Sequence, residues 1–190
     1  ILQMLFHYPT LNEVIMALVI VETIADSPLT PEEPTKTDLR VLGCLTERHA
    51  TWRYSLLSSD RLRMVCTFDA PDAESVRESY RKGGGVFNRM WAGELIKPKG
   101  VQPQRNLGTL KVVESTFPGG FTEADWDKAR QHVLPCYAER SVEVIQSYIS
   151  LDRTRTICEY NSPDAEVIRQ VRRKFGIPCD RVWSATVIAP

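Results

Sequence analysis

Two glutamates occupy the same point of two short apolar runs, Glu22 within Leu18–Thr23 and Glu114 within Leu110–Ser115. A carboxylate among apolar neighbours must find a partner or shift its pKa. Two of them facing one space could hold a divalent cation, or serve as acid and base on a small molecule. The plainer reading is a strand-end Glu paired with an arginine, with Arg63, Arg155, Arg89 and Arg181 available. Trp91 and Trp183 could wall the same space as the aromatics of a ligand site, or simply fill core. The candidate cavity is therefore Glu22, Glu114, Trp91, Trp183, Arg63 and Arg155.

Thiols and imidazoles give a second set. Thiolates bind borderline-soft metals, but free cysteine also behaves as a small buried hydrophobe. None of the five cysteines falls in a CxxC pair. With an odd count and no disulfide-scaffold composition, five free thiols in a reducing, cytoplasmic compartment are expected. His132 and Cys136 are spaced i, i+4, which puts both on one side of a helix within reach of one ion. They are the candidate metal ligands, although a transition-metal site normally needs three or more converging donors. His132 has Arg40 as its counterpart in the repeat described next, and His7 and His49 have no histidine counterparts.

The elements that must position these residues occur twice. Cys136 follows Cys44 at an offset of 136 − 44 = 92, and Cys158 follows Cys66 at the same offset. The same shift carries Glu22 to Glu114, Trp91 to Trp183 and Asp60-Arg61 to Asp152-Arg153. It also carries Pro71-Asp72-Ala73-Glu74 to Pro163-Asp164-Ala165-Glu166. No gap is needed from about Leu18 to Pro98, so the chain reads as a tandem duplication. Expected boundaries are an N-terminal extension at 1–15, a first module at 16–98, a linker at 99–108 and a second module at 109–190. The extension is apolar but lacks a basic start and a small-residue cleavage site, so a signal peptide is not expected. The linker's Lys, Pro, Gly and Gln read as a flexible connector.

Each module reads as βαββαβ. Leu18–Thr23 and Leu110–Ser115 are strands. Thr30 and Thr122 mark helix starts, and the helices run to about Arg48 and Arg140. Gly43 and Pro135 share a position inside that helix and predict a kink or break in both copies. Trp52–Ser58 with Arg63–Asp69, and Val144–Ser150 with Arg155–Tyr160, form hairpins around the Asp-Arg turns. Pro71 and Pro163 suit the first position of a second helix. Gly84 and Gly176 end that helix after Lys82 and Lys174. Arg89–Ile96 and Arg181–Ile188 close the modules. This order is the ferredoxin-like motif, an antiparallel sheet with both helices on one face. The strands are more continuously apolar than a half-solvated sheet requires. The fold class expected is α+β, with the two modules packed sheet-to-sheet as a pseudo-dimeric barrel or sandwich.

The ends of the modules resemble a known family. The residues concerned are Ser147-Tyr148 with Asp152, Ile157-Cys158-Glu159-Tyr160, Ser162-Pro163-Asp164-Ala165-Glu166, and Gly176-Ile177-Pro178 with Asp180-Arg181-Val182. In the first copy they are Cys66 through Glu74, and the Val-Glu of strand one at Glu22 and Glu114 also fits. Together they resemble the small bacterial nickel-binding ferredoxin-like proteins, catalogued as a domain of unknown function. The resemblance implies a ferredoxin-like fold, dimer-type sheet pairing and nickel binding in at least one member. Here the pair would be fused in one chain. The first copy departs at Gly83-Gly84-Gly85, where the second reads Phe175-Gly176-Ile177, and a looser loop is expected there.

Composition narrows the function classes. Lys and Arg total 24, Asp and Glu total 24, and no basic stripe appears, so a nucleic-acid partner is not expected. No apolar run reaches bilayer length, so no membrane partner is expected either. No nucleophile–base triad, phosphate loop or dinucleotide fingerprint is present. The leading expectation is a divalent-metal-binding protein, nickel by the resemblance, present as a monomer with an internal pseudo-dimer or as a further homodimer. One alternative is a small-molecule enzyme using Glu22 and Glu114 in an inter-sheet cavity. The other is a non-catalytic protein-interaction module.

Overall fold

The computed structural model describes residues 16–100 and 103–190. The extension expected at 1–15, with His7, lies outside the described residues.

In chain order the first module comprises β1 (Ala17–Ile24), α1 (Lys36–Glu47), β2 (Thr51–Ser58), β3 (Arg63–Ala70), α2 (Ala73–Gly83) and β4 (Arg89–Ile96). The second comprises β5 (Leu110–Thr116), α3 (Glu123–Ala138), β6 (Glu143–Ser150), β7 (Arg155–Asn161), α4 (Ala165–Lys174) and β8 (Arg181–Ile188). Both copies are βαββαβ. The protein is thus α+β, with eight antiparallel strands and four helices among the described residues. The strands close into one barrel in the order β1-β3-β2-β8-β5-β7-β6-β4. The modules therefore meet edge to edge, β2 on β8 and β4 on β6, and not as the sandwich alternative. Closure removes every sheet edge and encloses the apolar strand faces in one interior.

Alternation along each strand divides the side chains between two environments. Ile20, Leu56, Val65, Leu110, Val112, Tyr148, Ile157 and Trp183 fill the barrel. Val19, Val21, Cys66 and Phe68 face outward beneath α1 and α2, and Val113, Cys158, Tyr160 and Val182 do the same beneath α3 and α4. Bulges at Trp52/Tyr54 and Val144/Gln146 interrupt the alternation. Each re-aims the strand, so Trp52 packs under the helices while Tyr54 points into the barrel.

Several local expectations are corrected. The first helix starts after Thr35, not Thr30. Thr35 and Asp38 form a capping box, as Thr122 and Asp125 do at α3, and a reciprocal cap outweighs a lone Thr followed by acids. Neither helix breaks: α1 runs through Gly43 and α3 through Pro135. Pro135 lies in the last turn, where its missing N–H removes a single ladder bond. Pro71 and Pro163 precede the caps Asp72 and Asp164 instead of occupying the first helical position. The Gly83-Gly84-Gly85 run is not a loose loop, since Gly83 is buried and a Cβ there would stand 2.7 Å from the Val41 backbone nitrogen. The linker is pinned in part: Asn161 Nδ2 donates to Gln104 O (2.8 Å), and Asn106 N donates to Asn161 Oδ1 (2.8 Å).

Gly93 marks a module seam, pairing with Leu18 of β1 and Ser150 of β6. A Cβ there would lie 2.6 Å from the Ile149 carbonyl oxygen and 2.8 Å from the Trp91 ring. Gly93→Ala is expected to destabilise the fold by about 1–3 kcal/mol, the usual cost of overpacking. A denaturant midpoint equal to wild type would show that the seam accommodates the methyl group.

Candidate functional site

Six strands bring the six candidate cavity residues into one cluster. Glu22 and Glu114 lie near the ends of β1 and β5, Trp91 and Trp183 on β4 and β8, and Arg63 and Arg155 at the starts of β3 and β7. Glu22 and Glu114 are 7% and 8% exposed. The Trp91 indole donates to Glu22 Oε1 (2.7 Å), and Trp183 repeats this with Glu114 Oε1 (2.8 Å). Arg155 then joins the two carboxylates. Its Nε donates to Glu22 Oε1 (2.8 Å), and its terminal nitrogen donates to both Glu22 Oε2 and Glu114 Oε2, the latter at 3.0 Å. Arg63 is more remote, 3.7 Å from Glu114.

This cluster bridges the modules, because Arg155 of the second holds Glu22 of the first. Burial alone would lower the pKa of the Arg155 guanidinium. The hydrogen bonds and charges of Glu22, and then of Glu114, outweigh burial, so the pKa is raised. The other terminal nitrogen of Arg155 also reaches Asp180 Oδ2 at 3.5 Å, so three carboxylates surround the two guanidiniums. Every carboxylate oxygen of Glu22 and Glu114 has a donor, and the pair sits beside a fixed cation.

The proposed metal ligands are not brought together. His132 is exposed, and its Nδ1 lies 2.7 Å from the Lys128 carbonyl oxygen. Cys136 is buried, and its Sγ accepts from Arg140 (2.9 Å). Among the described residues, no group of three His, Cys, Asp or Glu side chains could hold a metal ion. All five cysteines are free, four of them buried and Cys179 partly exposed. Burial pushes the Cys66 thiol up to about 11.

Charged residues outside the candidate cavity and metal sets are also buried. Glu159 is wholly buried and faces the barrel two rungs beyond Arg155. It accepts from Gln146 Nε2 (2.7 Å), Tyr148 (3.2 Å) and Tyr54 (3.3 Å). Arg105 from the linker completes the set with bonds of 2.5 and 3.0 Å, its guanidinium 4.2 Å over the Tyr54 ring. Burial, and then the charge of Glu159, push the Tyr54 phenol above its usual pKa. The counterpart of Glu159 is Thr67, so the repeat gave no signal. Alternation in β7 did carry one, since 155, 157 and 159 share a face. Another such residue is Arg172 on α4, 3% exposed. It falls on the inward stripe with Ile168, Val171 and Phe175, at the i, i+4 and i+7 spacing that places residues on one face.

Two outcomes test this description. Arg155→Met should cost about 3–5 kcal/mol by stranding two buried carboxylates. Arg63→Met should cost less than about 1 kcal/mol, in the range of a loose, partly exposed pair. Equal costs in chemical denaturation would refute the central position of Arg155. Separately, a disulfide-exchange reagent under native conditions should modify Cys179 first and the four buried thiols only as the chain opens. Five thiols should be counted after denaturation without reductant.

Comparison with known proteins agrees with the doubled architecture. The family model for the nickel responsive protein SCO4226-like family matches residues 19–92 and again residues 112–184. No curated protein matches the chain. Among solved structures, a heme-binding protein from Thermus thermophilus is similar at a TM-score of 0.44 and 7% identity, covering 92% of this chain and 90% of that one. An anthrone oxidase-like protein is similar at a TM-score of 0.41 and 11% identity, covering 92% of this chain and 91% of that one. Likeness this loose carries no chemistry across. The family match spans both modules and most of the strands and helices that build the barrel, and on it the chain belongs to the nickel responsive protein SCO4226-like family.

Proposed function

We propose that this chain is a non-catalytic, nickel-responsive binding protein, with the barrel as its scaffold and the ion taken at the surface. The family match in both modules supports nickel as the ion. The described residues do not fit a closed nickel centre, because no three donors converge among them. Glu22 and Glu114 do not fit a cation either, since Arg155 lies between them.

His132 carries this reading. A carbonyl oxygen can only accept, so the 2.7 Å contact with Lys128 O places the proton on Nδ1. With Nδ1 so engaged, Nε2 is the nitrogen left to ligate an ion, as in metal-ligating histidines whose second nitrogen donates to a carbonyl. A single imidazole on an exposed helix face leaves the remaining positions on nickel to water. Affinity should therefore be well below that of a site with three or four protein donors. This separates His132 from Cys136, whose sulfur is buried and engaged.

The acid–base alternative is disfavoured by the same cluster. Both repeated carboxylates are held in ion pairs, and the barrel beside them is filled by Ile20, Val112, Ile157 and Trp183.

Titration of the full chain with nickel chloride by calorimetry tests the proposal. Weak, saturable uptake is expected, with His132→Ala raising the dissociation constant by about tenfold or more, as loss of a ligand or its support does elsewhere. Glu22→Gln with Glu114→Gln should lower thermal stability and leave nickel uptake unchanged. Uptake insensitive to His132, or lost in the glutamate double variant while the fold persists, would overturn the assignment.

A further inference from the structure

Each module has a partly open cavity between its helices and the outer face of the barrel. The first is about 470 Å³, bordered by Leu29, Pro34, Trp52, Cys66, Phe68 and Tyr80. The second is about 420 Å³, bordered by Phe117, Phe121, Trp126, Tyr137, Tyr160 and Arg172. Both volumes suit a small organic molecule. The two walls differ in charge. Among the described residues, the only charged one lining the first cavity is Asp38, whereas the second is lined by Arg172 and Arg130 against a single acid, Asp125.

Arg172 is the unusual residue. It is almost fully buried, yet none of its partners among the described residues is a carboxylate. It donates to Ser115 Oγ (2.7 Å), to the Pro178 carbonyl (2.8 Å) and to Tyr160 (2.8 Å). Burial raises the pKa of the Tyr160 and Tyr137 phenols, so neither supplies a negative charge near neutrality. Asp125 is committed to the cap of α3, bonded to Thr122. A buried guanidinium without a counter-anion is costly. The polar accounting is also incomplete here. Of the three buried side-chain polar atoms left without a partner among the described residues, two are Trp126 Nε1 and Arg172 Nε. Both residues line this one cavity. The repeat counterparts of Trp126 and Arg172 are Pro34 and Tyr80, so the first module lacks both donors.

We propose that the cavity beneath α3 and α4 is a binding site for a small organic carboxylate. The acid group of that ligand pairs with Arg172, and its apolar body lies among Phe117, Phe121, Trp126 and Phe175. Phe121 stacks on Trp126 at 5.2 Å between ring centroids and packs edge-on against Phe117 at 4.7 Å, giving a continuous aromatic wall. A charged head at one side and aromatic rings at the other select an amphipathic anion over a neutral molecule or a bare inorganic ion. The duplication thus yields one neutral-to-acidic cavity and one basic cavity in the same chain. The site rests on observations separate from those for nickel and stands or falls independently of them.

Decanoate is a suitable probe, with 1-decanol as its neutral counterpart. The full chain is titrated with each, by calorimetry and by tryptophan fluorescence. One decanoate should bind per chain, at least about tenfold more tightly than decanol, the discrimination expected of one charged hydrogen-bonded pair. Arg172→Met should abolish that preference, and Arg172→Lys should retain part of it. Far-ultraviolet circular dichroism establishes whether each variant is folded. Should Arg172→Met fail to fold, Ala129→Trp fills the cavity from α3 with Arg172 intact and should eliminate decanoate binding. Equal affinity for the two probes, two equivalent sites per chain, no binding, or binding unchanged by Ala129→Trp would overturn the proposal.

Discussion

The structure depends on the buried pairing of Arg155 with Glu22 and Glu114. Closing two four-stranded sheets into one barrel carries both carboxylates out of water, and an uncompensated charge in that interior would oppose closure by several kcal/mol. Arg155 resolves this by reaching from one module to the acid of the other while retaining its own. The two indoles then satisfy a remaining lone pair on each carboxylate. The pairing is directional as well as attractive. Moving a strand by one residue would turn its Glu or Arg out of the barrel, so the ion pair and the strand register enforce one another.

Duplication within one chain explains why the cluster is not symmetric. In a dimer of identical subunits every residue appears twice, and two central arginines would compete for one position. Here Arg155 takes the centre and Arg63 stays at 3.7 Å from Glu114. The same freedom appears elsewhere. Glu159 of the second module occupies the place of Thr67, and Arg172 that of Tyr80. Each change introduces a buried charge in one half only. Glu159 is matched by Arg105 from the linker, which gives the connection between modules a structural role. Arg172 has no such partner among the described residues, and the difference between these two buried charges separates a structural pair from a ligand site.

The interior of the barrel and the space outside it therefore have distinct roles. Tyr148, Ile157 and Trp183 pack the axis, with ion-paired clusters around Glu22 and Glu159 at two levels along it. Room for small molecules lies beneath the helices, where α1 and α3 stand off from the sheet. Both of these helices begin with a capping box, which fixes the start of the element that roofs each cavity.

The sequence by itself determined the duplication, the βαββαβ order, the hairpin turns at Asp60 and Asp152, and the closing strands. Each of these follows from local chemistry and spacing that can be read twice. It also drew attention to Glu22 and Glu114 and to their partners Arg155, Arg63, Trp91 and Trp183, because a carboxylate repeated in an apolar strand has few ways to be accommodated, but not to Asp180, which pairs with Arg155 as well. Tertiary structure decided what the sequence left open. Whether the sheets stack or close is a matter of which strand edges meet, and edges leave no periodic trace. Which arginine occupies the centre depends on geometry between modules, and residues 63 and 155 are chemically identical. The direction of Tyr54 and Gln146 was set by bulges that break alternation. The separation of His132 from Cys136 arose because one helical turn can span the boundary between solvent and core. The isolation of Arg172 could only be seen in the fold, since the absence of a counter-charge is a property of everything packed around a residue and not of its neighbours in the chain.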